Sequence, residues 1–490
     1  MTGWNPGRHG IFDFRSLAIE RYARLWGAGH SAAFSEGREF HTSRRWAHGA
    51  FWDLLGAETR VAVLGVPMTF PAWEVNGILV PGFPLPNYDR NHAHPPGAAD
   101  AHPPLLQGAD RLRRLSDEEL ADHCLELIDR QRSLVLECVE GDFDVVVAVF
   151  QSTDFAQHRL WRYLDEPGHP LREKLLEMYR RIDAVVGVGR ERLGDQGVVA
   201  VVSDHGFGPH PRTLVRVDAM LETAGLLRRT STGAAPGGTL SSRVLARVPA
   251  VRRVLRLGLD RLPRRLTDYL AGAYTGANQI AWRETRAYRL PLYAPAEGVV
   301  VNLRGRQAEG IVEPGAEYEQ TRDAIIAAAV SLRDPDSGDP VVAWARRRED
   351  VFSGPFVEEA PDVIMLFDER FKGSAGFGAI FAPVPSSILE SYSGVHAMDG
   401  IFAAAGPGVT GGDLGVRELV DVIPTLLALA GVPIPADIDG APMEEALFEP
   451  AVRRGAERSV APGGANGAPE LTDEEARTVE ESLRALGYLE

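Results

Sequence analysis

The stretch FDVVVAVFQSTDFAQH, residues 143–158, decides the reading of this chain. Its first half is a valine-rich apolar run, the pattern of a strand buried on both faces of a parallel sheet. Its second half turns polar at once and sets Asp154 and His158 four positions apart, so both share one face if the chain becomes helical after the strand. A second run, GVVAVVSDHG (197–206), repeats the arrangement and ends in Asp204 and His205. In an open parallel sheet, ligands gather outside the carboxyl ends of the strands, so two independent strands bring Asp and His to one edge. Oxygen and imidazole donors without thiolate suit zinc, manganese or a similar divalent ion. The adjacent Asp204 and His205 can share an ion only where the backbone turns sharply, which Gly206 and Gly208 permit.

Outward from these two runs, TRVAVLGVP (59–67), PDVIMLF (361–367) and GIFAAAGPG (400–408) read as further buried parallel strands. Helical patterns lie between them. Residues 116–140 open with Ser116 and Glu119 at capping-box spacing and set Leu120, Cys124, Leu127 and Ile128 on one face. Residues 169–193 repeat the pattern with Leu171, Leu175, Met178, Ile182 and Val185. Strand, helix, strand in this order predicts right-handed crossovers and an α/β fold whose mostly parallel central sheet is covered by helices on both faces. The end of the chain, 471–490, has Thr472 capping with Glu475 and an apolar face of Val479, Leu483 and Leu486, the pattern of a docked terminal helix.

Two stretches interrupt the alternation. Residues 89–104 form a Pro/His-rich loop in which His92, His94 and His102 are either solvated or metal-binding. Residues 211–285 carry a Gly-rich linker and then RVLARVPAVRRVLRLGLDRLPRRL (243–266), with eight arginines and one Asp on a Val/Leu background. That segment is a cap packing on the acidic body, a guide for an anionic substrate, or a membrane-surface contact. The predicted organisation is a first part of the core over 1–210, an inserted cap or linker over 211–285, a second part of the core over 286–450, and a linker with the docked helix over 451–490.

Composition limits the function classes. The 490 residues are 44% hydrophobic, enough for a large core, and 52 Lys plus Arg against 68 Asp plus Glu leave a net charge of -16. That balance argues against nonspecific binding to nucleic acid or to an anionic membrane. Cys124 and Cys138 are too few and too far apart for a disulfide framework or a CxxC site, which fits a reducing, cytoplasmic setting. No apolar run approaches the ~18 residues of a membrane span, and the first thirty residues hold no signal-peptide core.

A further histidine, His396, stands in the Gly-rich stretch SYSGVHAMDG (391–400), with Asp399 three residues on to orient it; the alternative is a loop histidine satisfied by backbone. TDFAQH (153–158), VVSDHGFGP (201–209) and GVHAMDGIFAAAGPGV (394–409), in this order, resemble the type I phosphodiesterase/nucleotide pyrophosphatase family of the alkaline phosphatase superfamily. The likeness extends through TGWNPGRHGIFDF (2–14), VPMTFPAWEVNGILVPGFPLP (66–86) and DVIPTLLALAGVPIPADIDGAPM (421–443), and is least clear over 211–281. The resemblance implies a two-metal site acting on a small phosphorylated substrate, a phosphate ester, diester or pyrophosphate. Asp154, His158 and His396 match the ligands of one ion, and Asp204 and His205 match two ligands of the other, with zinc or manganese as the metal. In the family a further Asp and a Thr or Ser nucleophile precede the segment matched by Thr2 and Gly3, so the resemblance implies a nucleophile upstream of Met1. Thr2 and His9 match positions that belong to the turn and its surroundings. A metal- or phosphate-binding relative without turnover and a phosphomutase remain alternatives at this stage, whereas a sulfatase needs a modified Cys or Ser near the nucleophile, and neither cysteine lies there.

Overall fold

The computed structural model describes residues 1–17, 19, 40–46, 49–86, 92–98, 114–230, 280–292, 295–447, 455 and 471–485. They fall into two units. One comprises Met1–Phe14, Phe40–His210 and Pro385–Glu490; the other comprises Arg15–Glu39 and Pro211–Val384. Strands, and helices of eight residues or more, are numbered along the chain.

In the first unit, β1 (Val61–Val66), β2 (Gly77–Pro81) and, after α1 (Asp117–Glu140), β3 (Val145–Ala148) form a parallel sheet in the order β2-β1-β3. The chain continues through α2 (Ser152–Leu160), α3 (Pro170–Leu193), β4 (Val199–Val202) and β5 (Gly206–Pro209). Every residue of β1 is buried, and the period of two divides its side chains between two cores. Ala62 and Leu64 pack on Leu134, Val135 and Cys138 of α1 and Val185 of α3. Val61 and Val63 pack on the other face against Trp46, Trp52 and Trp73. Each fully buried Val or Leu side chain contributes ~1.5–3 kcal/mol, so a strand covered on both faces anchors the sheet.

The helices form where the sequence marks them. Ser116 Oγ accepts the Glu119 N–H at 3.2 Å and Glu119 Oε2 accepts the Ser116 N–H at 2.7 Å, which closes the capping box. At the start of α3, His169 Nδ1 accepts the Leu171 N–H at 3.2 Å, and Pro170 occupies a position with no N–H to satisfy. Lys174–Asp122 at 2.5 Å and Arg181–Asp129 at 2.6 Å tie α3 to α1. Cys124 and Cys138 are buried free thiols, pushed up by burial to about 12 and about 11, so they serve as core residues.

The second unit contains β6 (Thr213–Arg216), β7 (Ala287–Pro291), β8 (Ala296–Val301), α4 (Ala316–Val330), β9 (Val342–Arg347), β10 (Val363–Phe367), β11 (Phe371–Ser374) and β12 (Phe381–Pro383). One sheet runs β7-β8-β10-β9 with all neighbours antiparallel; the other runs β11-β6-β12. The run PDVIMLF is therefore buried as expected but antiparallel. A short apolar run encodes burial on both faces and not the direction of its neighbours. Inside this unit Arg289 grips Glu297 through two hydrogen bonds of 2.9 and 2.6 Å. Arg306 and Tyr318 meet the wholly buried Asp362 at 2.5 and 2.6 Å.

The first unit resumes with β13 (Gly394–Ala397), β14 (Phe402–Ala405), α5 (Val422–Leu429) and α6 (Asp473–Ala485). β13 pairs antiparallel with β5 and β14 antiparallel with β4, so GVVAVV and GIFAAAGPG both depart from the parallel expectation, and both strands are only partly buried. In α6, Val479 and Leu483 are buried in one cluster with Leu120, Ile128, Phe155 and Leu171, and Thr472 and Glu475 exchange capping hydrogen bonds. The arginine-dense segment 243–266, His102 and Leu486 lie outside the described residues. Among the described residues no helix is long and apolar enough to cross a membrane.

Candidate metal centre

Three elements of the first unit converge on one carboxylate. The chain leaves β3, makes a single turn and enters α2, where Asp154 and His158 sit one helical turn apart. The antiparallel pairing of β13 with β5 places His396 opposite Phe207, two residues after His205. As a result His396 Nε2 stands 3.0 Å from Asp154 Oδ1, His158 Nε2 3.6 Å and His205 Nε2 3.8 Å from the same oxygen. One candidate ligand atom from each of Asp154, His158 and His396 lies within 4.8 Å of the others. Asp204 stands further out: its carboxylate is 3.7 Å from His205 Nε2 and its side chain is 78% exposed, against 13% for Asp154.

The tautomers follow from the backbone. His158 Nδ1 faces the carbonyl oxygen of Gly394 at 3.0 Å, and His205 Nδ1 faces that of Gly206 at 2.9 Å. A carbonyl only accepts, so each Nδ1 carries the hydrogen, and in the neutral ring each Nε2 presents a lone pair. Those lone pairs point toward a carboxylate oxygen, which is itself an acceptor. His396 Nε2 is within hydrogen-bonding distance of that oxygen at 3.0 Å, while the His158 and His205 lone pairs face it as acceptors facing an acceptor, and two imidazole nitrogens with a carboxylate oxygen are a normal first set of protein ligands for zinc or manganese. The residues present fit a divalent ion.

Burial holds His158 down at about 4, against the opposing pull of Asp154, so its ring is neutral and available as a ligand at pH 7. His41, elsewhere in the same unit, is pushed to about 3 by burial, with Arg45 and His9 adding to the effect. A folded-state value below the ordinary 6.5 means that the unfolded chain takes up the proton first. The stability these rings contribute is complete above pH 6.5 and is lost as pH falls from there through about 4 and 3. The urea midpoint of the metal-free protein is therefore expected to drop between pH 7 and pH 5, and His41→Asn to reduce that drop; an unchanged midpoint contradicts the assignment.

Several local expectations change. His396 lies on a strand and not in a loop, and the carboxylate facing its Nε2 is that of Asp154; Asp399 is exposed. Gly206 opens strand β5, and what requires glycine there is crowding: a Cβ at Gly206 would lie 2.0 Å from the Asp399 carbonyl oxygen. His92 packs edge-on to Phe70 at 4.6 Å, and the His94 backbone exchanges hydrogen bonds with Leu79. Thr2 Oγ1 accepts the Trp4 N–H at 3.1 Å, and His9 Nδ1 accepts the Ile11 N–H at 3.1 Å, which makes both part of the N-terminal turn. Phe207 and Tyr392, which touch the histidine rings, escape a search for ligand-type side chains; the signal available for Phe207 is its place two residues after His205, on the same strand face.

The profile of the type I phosphodiesterase / nucleotide pyrophosphatase family matches residues 1–376. The chain belongs to that family. The matched region contains Asp154, His158, Asp204 and His205, and the fold brings His396 to them from beyond it. No curated protein matches the sequence. Among solved structures, human ectonucleotide pyrophosphatase/phosphodiesterase 5 is similar at 12% identity over 69% of this chain, with a TM-score of 0.30. The chain spans 65% of the length of that protein. Phosphonoacetate hydrolase from Sinorhizobium meliloti 1021, in complex with phosphonoacetate, is similar at 14% identity over 82% of this chain and 76% of its own, with a TM-score of 0.39.

Proposed function

We infer that this chain is a metal-dependent phosphoric ester hydrolase, acting on phosphate ester, phosphodiester or pyrophosphate bonds of a small substrate. The observation that carries the reading is the convergence of three imidazole Nε2 atoms on Asp154 Oδ1. Family membership supports this reaction class. In this reading Asp154, His158 and His396 hold one divalent ion and Asp204 and His205 contribute to a second, zinc or manganese in each case. Bound there, a pair of such ions neutralises charge on the phosphoryl oxygens and activates the attacking and leaving oxygens of an in-line displacement.

The protein's own part is positional. The Gly394 and Gly206 carbonyls fix the rings of His158 and His205 with Nε2 inward. Asp204 is largely exposed and stands 3.7 Å from His205 Nε2.

The test is turnover of an aryl phosphate diester and monoester by the purified chain with added zinc or manganese, before and after chelation. Chelator-sensitive hydrolysis that falls roughly 100-fold in Asp204→Asn is expected, at the upper end of what perturbing a metal's surroundings costs. Metal binding with no release of the aryl alcohol from either ester overturns hydrolysis and leaves a binding role.

A further inference from the structure

We propose that Phe207 is a positioning residue for the metal centre, an aromatic pivot that sets the ring planes of His158, His205 and His396 together. The proposal rests on the metal-site reading above and names the part of the fold on which the geometry of that site depends.

Phe207 is the one described side chain whose ring meets all three imidazoles. Its centroid lies 4.7 Å from that of His158 at an interplanar angle of 67°, 5.4 Å from His396 at 76°, and 6.2 Å from His205 at 48°. The angles to His158 and His396 are those of edge-to-face packing, the arrangement aromatic quadrupoles favour, and the His205 ring is tilted against Phe207. Two of these contacts follow from the strands. Phe207 and His396 are directly opposed in the β5–β13 pair, where side chains on one face lie closest, and His205 shares the face by the period of two.

The ring is itself held. Trp161 stacks on it at 5.6 Å and 28°. Gly394 provides the slot: a Cβ there would lie 2.8 Å from Phe207 Cε1, 2.8 Å from Trp161 Cβ and 2.5 Å from the Gln157 carbonyl oxygen. The carbonyl of this same glycine accepts the His158 Nδ1–H. One backbone position thus seats the pivot and fixes the tautomer of a ligand. Tyr392 stacks on His158 at 4.4 Å and 21°, which adds a second constraint on that ring.

The physical reason for such a pivot is the torsion of a histidine side chain. Rotation about the bond to the ring is broad and poorly confined by intrinsic preference, so packing has to define the plane in which the lone pair lies. A hydrogen bond at Nδ1 holds one edge of the ring and still permits tilt about it. Three rings packed against one phenyl group cannot tilt independently, and their lone pairs stay convergent before an ion arrives.

The test is competitive titration of zinc against a chromophoric chelator for the full chain, the Phe207→Leu variant and the Phe207→Tyr variant, with melting temperatures of the metal-free proteins alongside. Leu keeps the apolar contact and loses the ring; Tyr keeps the ring. Zinc affinity is expected to fall roughly tenfold or more in Phe207→Leu, the size of effect seen when groups orienting metal ligands are altered, and to recover in Phe207→Tyr. A filler of the core with no positioning role lowers the melting temperature and leaves affinity unchanged, and that result overturns the proposal. If Phe207→Leu does not fold, Trp161→Leu takes its place with the same expected loss. Absence of zinc binding by the wild-type chain sinks the metal-site reading itself, whereas binding that is equal in wild type and the leucine variant sinks the pivot alone.

Discussion

Asp154→Asn is expected to abolish tight binding of a divalent ion and to lower phosphoric ester turnover at least ~100-fold, more than the loss from any change around the ligands. The argument is geometric. Asp154 Oδ1 is the atom on which His158, His205 and His396 all converge, between 3.0 and 3.8 Å away. Asn keeps the size and removes the negative charge that offsets an ion's charge in a site where the side chain is only 13% exposed. The metal-free variant is expected to fold with a melting temperature close to wild type. A variant that binds zinc as tightly as wild type contradicts the role given to Asp154.

The largest expected effect on stability lies in the second unit. Arg289 and Glu297 face each other with side-chain exposures of 6% and 5%, joined by two hydrogen bonds. Glu297→Gln preserves shape and removes the charge opposite a buried guanidinium, a change that costs about 3–5 kcal/mol in comparable pairs. Space does not allow the pair to rearrange freely, because strand β11 passes close by: a Cβ on Gly373 would lie 2.3 Å from Glu297 Cγ. Burial raises the carboxyl of Asp218, and the Gly376 N–H and the Arg289 charge pull it in the opposite direction. Replacing both partners with apolar residues of similar volume is expected to cost much less than Glu297→Gln, since neither charge is then stranded. Urea unfolding checks both. A loss below about 1 kcal/mol for Glu297→Gln would show that the pair is solvated and contributes as surface pairs do.

Where local physics alone decides an element, the amino-acid order was sufficient. The capping boxes at Ser116 and Thr472, the one-turn spacing of Asp154 and His158, and the docked face of Val479 and Leu483 all depend on neighbours within a few positions. Valine-rich runs marked strands, and β1 and β10 are buried as expected, whereas β3 and β4 are only partly buried. Direction left no such mark: PDVIMLF and GIFAAAGPG pair antiparallel through partners set far away in the chain. The same limit governs the metal centre. His396 is brought to Asp154 across 242 positions by a strand pairing, and its partner could not be read from Asp399 nearby. Phe207 was illegible for a different reason: a side chain that positions ligands has no ligating atom of its own.

The most direct measurement is anomalous scattering from crystals of the chain grown with zinc. The account predicts one peak about 2.0–2.2 Å from an oxygen of Asp154 and from Nε2 of His158 and His396, and a second beside Asp204 and His205. Zinc bound only at other side chains, with Asp154, His158 and His396 left as they stand, would contradict it.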